Sequence, residues 1–116
     1  VGFIDIDQVA EVRPLPGCRL RAPHGERIML SYLEMEAGAE VPMHSHPHEQ
    51  AGMLLQGKLQ LTIGEETRVM NPGQMYIVPG GVPHRAAALD GPVLVLDIFS
   101  PIREDYVSAQ RESETL

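Results

Sequence analysis

Three of the five histidines of this 116-residue chain fall in one stretch, His44-Ser45-His46-Pro47-His48, followed at once by Glu49-Gln50. On a strand, residues two apart share a face, so His44 and His46 project side by side, with His48 and Gln50 in the same parity. A divalent transition metal needs ligands converging from one side at roughly 2.0–2.2 Å, and an i, i+2 imidazole pair supplies two of them. A lone His-x-His fits the plainer reading, surface histidines beside a turn, better than a metal site. A second stretch shifts that balance: Gly73-Gln74-Met75-Tyr76-Ile77-Val78-Pro79-Gly80-Gly81-Val82-Pro83-His84 reads as turn, short strand, sharp turn, then histidine. Further on, alternation puts Val93, Val95, Asp97 and Phe99 on one face of a strand and Leu94, Leu96 and Ile98 on the other. Both faces are largely apolar, so Asp97 is expected to be a buried carboxylate, which is costly without a partner. Arg103, just past Pro101, is either that partner or a clamp for an anionic substrate, or the two form an ion pair that merely fastens the C-terminal segment. The residues alone leave this open.

The elements that must position these groups are strands. Gly and Pro, 11 and 10 in number, fall between short apolar stretches instead of collecting in one linker. Alternation is plain at Ile28, Leu30 and Tyr32 against Met29, Ser31 and Leu33, and at Leu59, Leu61 and Ile63 against Lys58, Gln60 and Thr62. Turn signals stand at Ala37-Gly38, Gln56-Gly57, Ile63-Gly64-Glu65-Glu66, Asn71-Pro72-Gly73, Pro79-Gly80-Gly81 and Asp90-Gly91-Pro92. Many short strands at regular spacing predict a single all-β sandwich or barrel over residues 1–116, with a polar tail from Glu104 to Leu116 that is a short helix or a frayed end. A net charge of −7 argues against a nucleic-acid partner or an anionic membrane surface. No apolar run approaches the ~20 residues of a membrane span. A single cysteine, Cys18, and an N-terminus without signal-peptide character predict a cytoplasmic protein.

Together the two histidine stretches resemble the cupin superfamily. The first cupin motif, G-x5-H-x-H-x3-E-x6-G, lies over Gly38, His44, His46, position 50 and Gly57, with Gln50 where the family usually has Glu. The second, G-x5-P-x-G-x2-H-x3-N, lies over Gly73, Pro79, Gly81 and His84, with Ala88 in place of the Asn. The resemblance implies a small double-stranded β-helix, or jelly-roll barrel, with both motifs opening on one internal pocket. It implies His44, His46, Gln50 and His84 as ligands of one divalent transition metal ion (zinc, nickel, iron, manganese or cobalt). Glu49 is the competing carboxylate, but it has the wrong parity and sits one position short of the motif. His48 is expected on the pocket wall or rim. Three imidazoles and an amide leave the ion's charge uncompensated, which makes it a stronger Lewis acid than one with a Glu ligand.

The run Met43 to Gln50 and the ending Asp97-x-Phe99-Ser-Pro-x-Arg103-Glu-Asp-Tyr106 resemble a narrower group, the KdgF family of pectin-degradation cupins. The resemblance implies linearisation of 4,5-unsaturated monouronates from pectin or alginate, with a metal held by three His and a Gln, and with Asp97, Phe99 and Arg103 as catalytic residues. It implies a small anionic sugar as substrate, Asp97 moving protons, Arg103 gripping the carboxylate and Phe99 walling the ring. Tyr76, Arg85 and Gln60 are read as structural. The other readings are a different metal-dependent cupin enzyme, such as a three-histidine iron dioxygenase, or a non-catalytic small-molecule-binding cupin. A homodimer is expected from the fold, through a sheet edge at Val1 to Ile6 or Arg19 to Arg21.

Overall fold

The computed structural model describes residues 2–115. Seven strands follow in order: β1 (Cys18–Arg21), β2 (Met29–Met35), β3 (Glu40–His44), β4 (Glu49–Ile63), β5 (Glu66–Met70), β6 (Met75–Val78) and β7 (His84–Ser100), then a helix, α1 (Glu104–Thr115). Two strands are long enough to serve two layers. The first half of β4 pairs with β6 and the second half of β7, and its second half pairs with β5 and the first half of β7. β2 then flanks the second half of β7 and β3 the first half. The result is a jelly-roll sandwich with layers β1-β2-β7-β4-β6 and β3-β7-β4-β5, every pairing antiparallel.

The sequence signals at Gln56-Gly57 and Asp90-Gly91-Pro92 therefore mark no chain reversals. They lie inside β4 and β7, where the register slips between Leu54 and Gln56, Gln56 and Lys58, and Lys58 and Leu59. At these bulges the paired strands bend from one layer into the other. Gly57 takes φ +89°, and a Cβ there would stand 2.5 Å from the Pro92 carbonyl oxygen, so only glycine fits. The remaining turn signals do separate elements.

Inward residues of both layers, among them Met35, Leu54, Leu59, Val93 and Val95, form the main core. A second cluster of Val12, Leu20, Ala22, Met29, Phe99 and Val107 joins α1 to the layer of β1 and β2. The polar tail is thus a docked helix. Val107 is buried, and Gln110 Nε2 donates to the Ala22 carbonyl at 2.9 Å. The expected edge strand at Val1 to Ile6 does not form: Val1 lies outside the described residues, Gly2 to Asp5 is irregular, and Ile6–Gln8 is one 3-10 turn capped by the Asp5 carboxylate on the Asp7 N–H. No helix among the described residues is long and apolar enough to cross a membrane.

Candidate metal centre and active site

His44 ends β3, His46 follows it, and His84 opens β7 opposite His44. Two remote motifs thereby become neighbours. The His44 and His84 rings lie 4.2 Å apart between centroids and the His46 and His84 rings 4.8 Å, and one nitrogen from each of the three falls within 4.8 Å of the others. Each ring is aimed by main chain. His44 Nδ1 lies 2.8 Å from the Pro42 carbonyl, His46 Nδ1 3.1 Å from that of His48, and His84 Nδ1 2.9 Å from that of Val82. A carbonyl only accepts, so every Nδ1 carries a proton and every neutral ring turns an Nε2 lone pair inward. Burial lowers the pKa of both His46 and His84, and the Arg103 charge presses the same way on each, which favours those neutral forms.

Gln50 is 8% exposed and points inward, whereas Glu49 is exposed; strand parity separates the two as the spacing requires. The Gln50 amide is oriented from behind: its Nε2 donates to Asp97 Oδ1 at 3.1 Å, leaving Oε1 3.1 Å from His46 Nε2. With the imidazole neutral and its proton on Nδ1, that last contact brings two acceptors together, an arrangement that a cation bound by both satisfies. His84 Nε2 is buried with no hydrogen-bond partner. Three inward lone pairs, one of them on the orphaned His84 nitrogen, and one amide oxygen fit a divalent transition metal held by His44, His46, Gln50 and His84.

Behind Gln50 stands Asp97, 5% exposed. Burial raises its pKa to about 6, with hydrogen bonds from Tyr76 and Gln50 and the Arg103 charge pulling it back down. Its second partner is one that the sequence reading took as structural: Tyr76 Oη donates to Asp97 Oδ1. Burial, and then the Asp97 charge, push the Tyr76 phenol well above its ordinary pKa, so it stays a donor. The register explains the contact. Asp97 and Tyr76 sit on either side of Gly52 in one inward-facing row, and a Cβ on Gly52 would overlap both Asp97 Oδ1 and the Tyr76 hydroxyl. Tyr76 reaches Asp97 across β4 because the intervening residue has no side chain, and an isolated glycine inside a strand was the signal that could have found it.

Arg103 is not the ion-pair partner of Asp97. Its Nε and Nη2 donate to the two Asp105 oxygens at 3.1 and 2.8 Å, and its guanidinium stacks 4.2 Å from the Tyr106 ring centroid and 5.1 Å from that of Phe99. Burial opposes its charge, but Asp105 holds its pKa above the ordinary value. The Arg103 side chain is 12% exposed, so Asp105 and the two rings fix it beside the cavity. Phe99 is buried with its ring at 74° to that of His46, centroids 5.7 Å apart. One cavity is lined by His44, Gln50, His84, Asp97, Phe99 and Arg103, and Tyr76 and Tyr106 complete its polar wall. His48 is half-buried against His46, ring centroids 5.4 Å apart, and contributes its carbonyl. Gln60 faces away from the core side of β4, and Arg85 is exposed at the cavity rim.

Residues 31–99 match the Cupin_2 family, a cupin domain. The chain belongs to that family. This cupin also resembles the solved structure of KdgF from Halomonas sp., at 30% identity and a TM-score of 0.85, covering 90% of this chain and 99% of that one. It is 26% identical to the pectin degradation protein KdgF of Dickeya dadantii over 81 residues, which is 69% of this cupin and 74% of that protein. It is 36% identical over 73 residues to the H2HPP isomerase of Bacillus subtilis, matching 61% of this cupin but spanning only 30% of that protein's length.

Proposed function

We propose that this cupin is a metal-dependent enzyme that opens the ring of 4,5-unsaturated monouronates to the linear 5-keto-4-deoxyuronate. The observation that carries the reading is the placement of Asp97, Phe99 and Arg103 around the Gln50 side of the histidine cluster, in a chain similar to KdgF over nearly that structure's full length. In the substrate, the hemiacetal ring oxygen sits on a C4=C5 double bond conjugated to a carboxylate. Loss of the C1 hydroxyl proton and cleavage of the bond from C1 to the ring oxygen give an aldehyde and an enolate, and protonation at C4 completes an isomerisation.

The residues divide the work as follows. His44, His46, Gln50 and His84 would hold a divalent ion, which would supply Lewis acidity for an oxyanion. Asp97, with its pKa at about 6, is close enough to neutrality to take the C1 hydroxyl proton and return one at C4. Both of its hydrogen bonds fall on Oδ1, so Oδ2 is the oxygen proposed to move the proton. Arg103 offers the Nη1 side of its fork to the substrate carboxylate while Asp105 holds the other edge. Phe99 sets the wall against which the ring lies.

The test follows the ultraviolet band of the conjugated enol-carboxylate after a lyase and a hydrolase release unsaturated monouronate from pectin or alginate oligomers. Loss of the band, accelerated over spontaneous opening, sensitive to chelator and independent of oxygen, is the expected result. No acceleration of either uronate by metal-loaded protein overturns the proposal. A requirement for oxygen would point to a dioxygenase instead.

A further inference from the structure

Four inward residues stand in one row across the five-stranded layer: Ser31 on β2, Asp97 on β7, Gly52 on β4 and Tyr76 on β6. Tyr76 and Gln50 reach Asp97 from the β4 side, and both donate to Oδ1. Ser31 is the neighbour on the opposite side, directly facing Asp97 in the register of β2 and β7. It is 2% exposed, and its neighbours along the inner face of β2 are Met29, Leu33 and Met35, so its hydroxyl stands in an otherwise apolar row. A buried hydroxyl is nearly always hydrogen-bonded, because leaving it dry and unpaired costs stability. Ser31 Oγ has no side-chain hydrogen bond to any described residue, and Ser31 lines the same cavity as His44, Gln50, His84 and Asp97. Nothing in the packing of the fold accounts for that hydroxyl.

We infer that Ser31 is a substrate-contact residue, its hydroxyl donating to the C1 oxygen of the sugar and so aiming the C1 proton at Asp97 Oδ2; this rests on the ring-opening reading above. Side chains directly opposite on neighbouring strands have Cβ atoms ~4.5–5.5 Å apart. Two oxygens at such positions that do not bond each other are bridged by a third oxygen set between them. Ser31 Oγ and Asp97 Oδ2 form such a pair, since Oδ2 accepts from no described residue either. A hydroxyl suits the place, because it donates to the carboxylate oxygen and accepts from the serine. A carboxylate does not, because it would bring a second negative charge against Asp97; the substrate's own carboxylate belongs with Arg103. In the ring opening, the C1 hydroxyl proton passes to Oδ2 and its electron pair forms the carbonyl at C1. The bond from C1 to the ring oxygen breaks, its pair stays on the ring oxygen as the enolate, and Asp97 returns the proton at C4. Ser31 keeps its own proton throughout. Its work is to fix the direction of the C1 O–H and to stabilise that oxygen as the proton leaves.

Ser31→Ala breaks no hydrogen bond within the protein, so it is expected to melt at or above the wild-type temperature while function falls. Kinetics and equilibrium binding are measured together on the zinc-loaded full chain. With unsaturated monouronate, kcat/KM is expected to fall by about tenfold or more. Calorimetric titration with galacturonate, a saturated monouronate, and with its 1-deoxy analogue, which lacks the C1 hydroxyl, needs no turnover. The wild type is expected to prefer galacturonate by about threefold to tenfold, and Ser31→Ala to lose most of that preference. An unchanged kcat/KM, or a preference that survives in Ser31→Ala, overturns the inference. So does a melting temperature that falls with activity, which would make the hydroxyl a structural one. A wild type that opens no uronate yet shows the Ser31-dependent preference would sink the ring-opening reading and leave this contact standing. Binding of neither sugar by the wild type, with no turnover, would remove both.

Discussion

Tyr76→Phe removes a single oxygen from the polar chain that runs from Tyr76 through Asp97 and Gln50 to the histidines. In the wild type, Asp97 Oδ1 accepts from both Tyr76 Oη and Gln50 Nε2. A hydrogen bond to a charged group contributes about 1.5–3 kcal/mol, and no water replaces the lost donor cheaply at a carboxylate this deeply buried. At ~2.1 cal/mol/K per residue over 116 residues, 1 kcal/mol moves Tm by about 4 °C, so the expected fall is roughly 6–12 °C. The pH dependence adds a second readout. Burial raises Asp97 above its unfolded value, so this group's contribution to stability declines as pH rises from about 4 to about 6. The Tyr76 hydroxyl favours the charged form, so without it the Asp97 pKa rises further and the decline extends to higher pH. The assay is thermal unfolding of chelated protein at a series of pH values for the wild type, Tyr76→Phe, Asp97→Asn and the double variant, where differences from wild type cancel the histidines. A melting point within a degree or two of wild type at every pH, or a coupling energy in the cycle below about 0.5 kcal/mol, refutes the argument.

Gly52→Ala drives a methyl into the space shared by Asp97 Oδ1 and the Tyr76 hydroxyl; overpacking adds about 1–3 kcal/mol to the lost hydrogen bond, so it should melt below Tyr76→Phe, and a wild-type melting curve would contradict the structure. Metal affinity, read by competition with a chromophoric chelator, should hold down to the ordinary histidine pKa of about 6.5 and fall only on further acidification, because the lowered His46 and His84 pKa values keep protons out of competition; a decline already complete by pH ~7 would contradict this. Arg103→Lys loses the fork on Asp105 and the stacking on Phe99 and Tyr106, and should raise KM for an unsaturated uronate by about tenfold or more with a smaller loss in kcat; an unchanged KM would remove the arginine from substrate binding.

The histidine pairing was legible because strand parity and fixed motif spacing are local properties, and the same parity separated Gln50 from Glu49. The turn residues at Gln56-Gly57 and Asp90-Gly91-Pro92 misled for a physical reason: a bulge that bends a strand and a loop that reverses it ask for the same residues. The Asp97 environment was half legible. Its burial followed from the apolar faces of β7, but its partners did not, because Tyr76 lies 21 residues away and reaches it only across a neighbouring strand at a glycine. Arg103 turns toward Asp105, two residues on, a local contact that the sequence offered and that a search for a distant partner of Asp97 passed over.

All three imidazoles are steered by peptide carbonyls, not by side chains. No point mutation can delete a carbonyl, so the orientation of each imidazole withstands substitution of the residues that supply those carbonyls, whereas the fourth ligand is oriented by side chains that substitution can remove. Gln50 and its props, Asp97, Tyr76 and the bare Gly52, are the heritable dial. One substitution there changes both the polarity beside the histidines and the hydrogen bonds of Asp97, while the carbonyls that aim the histidines stay in place.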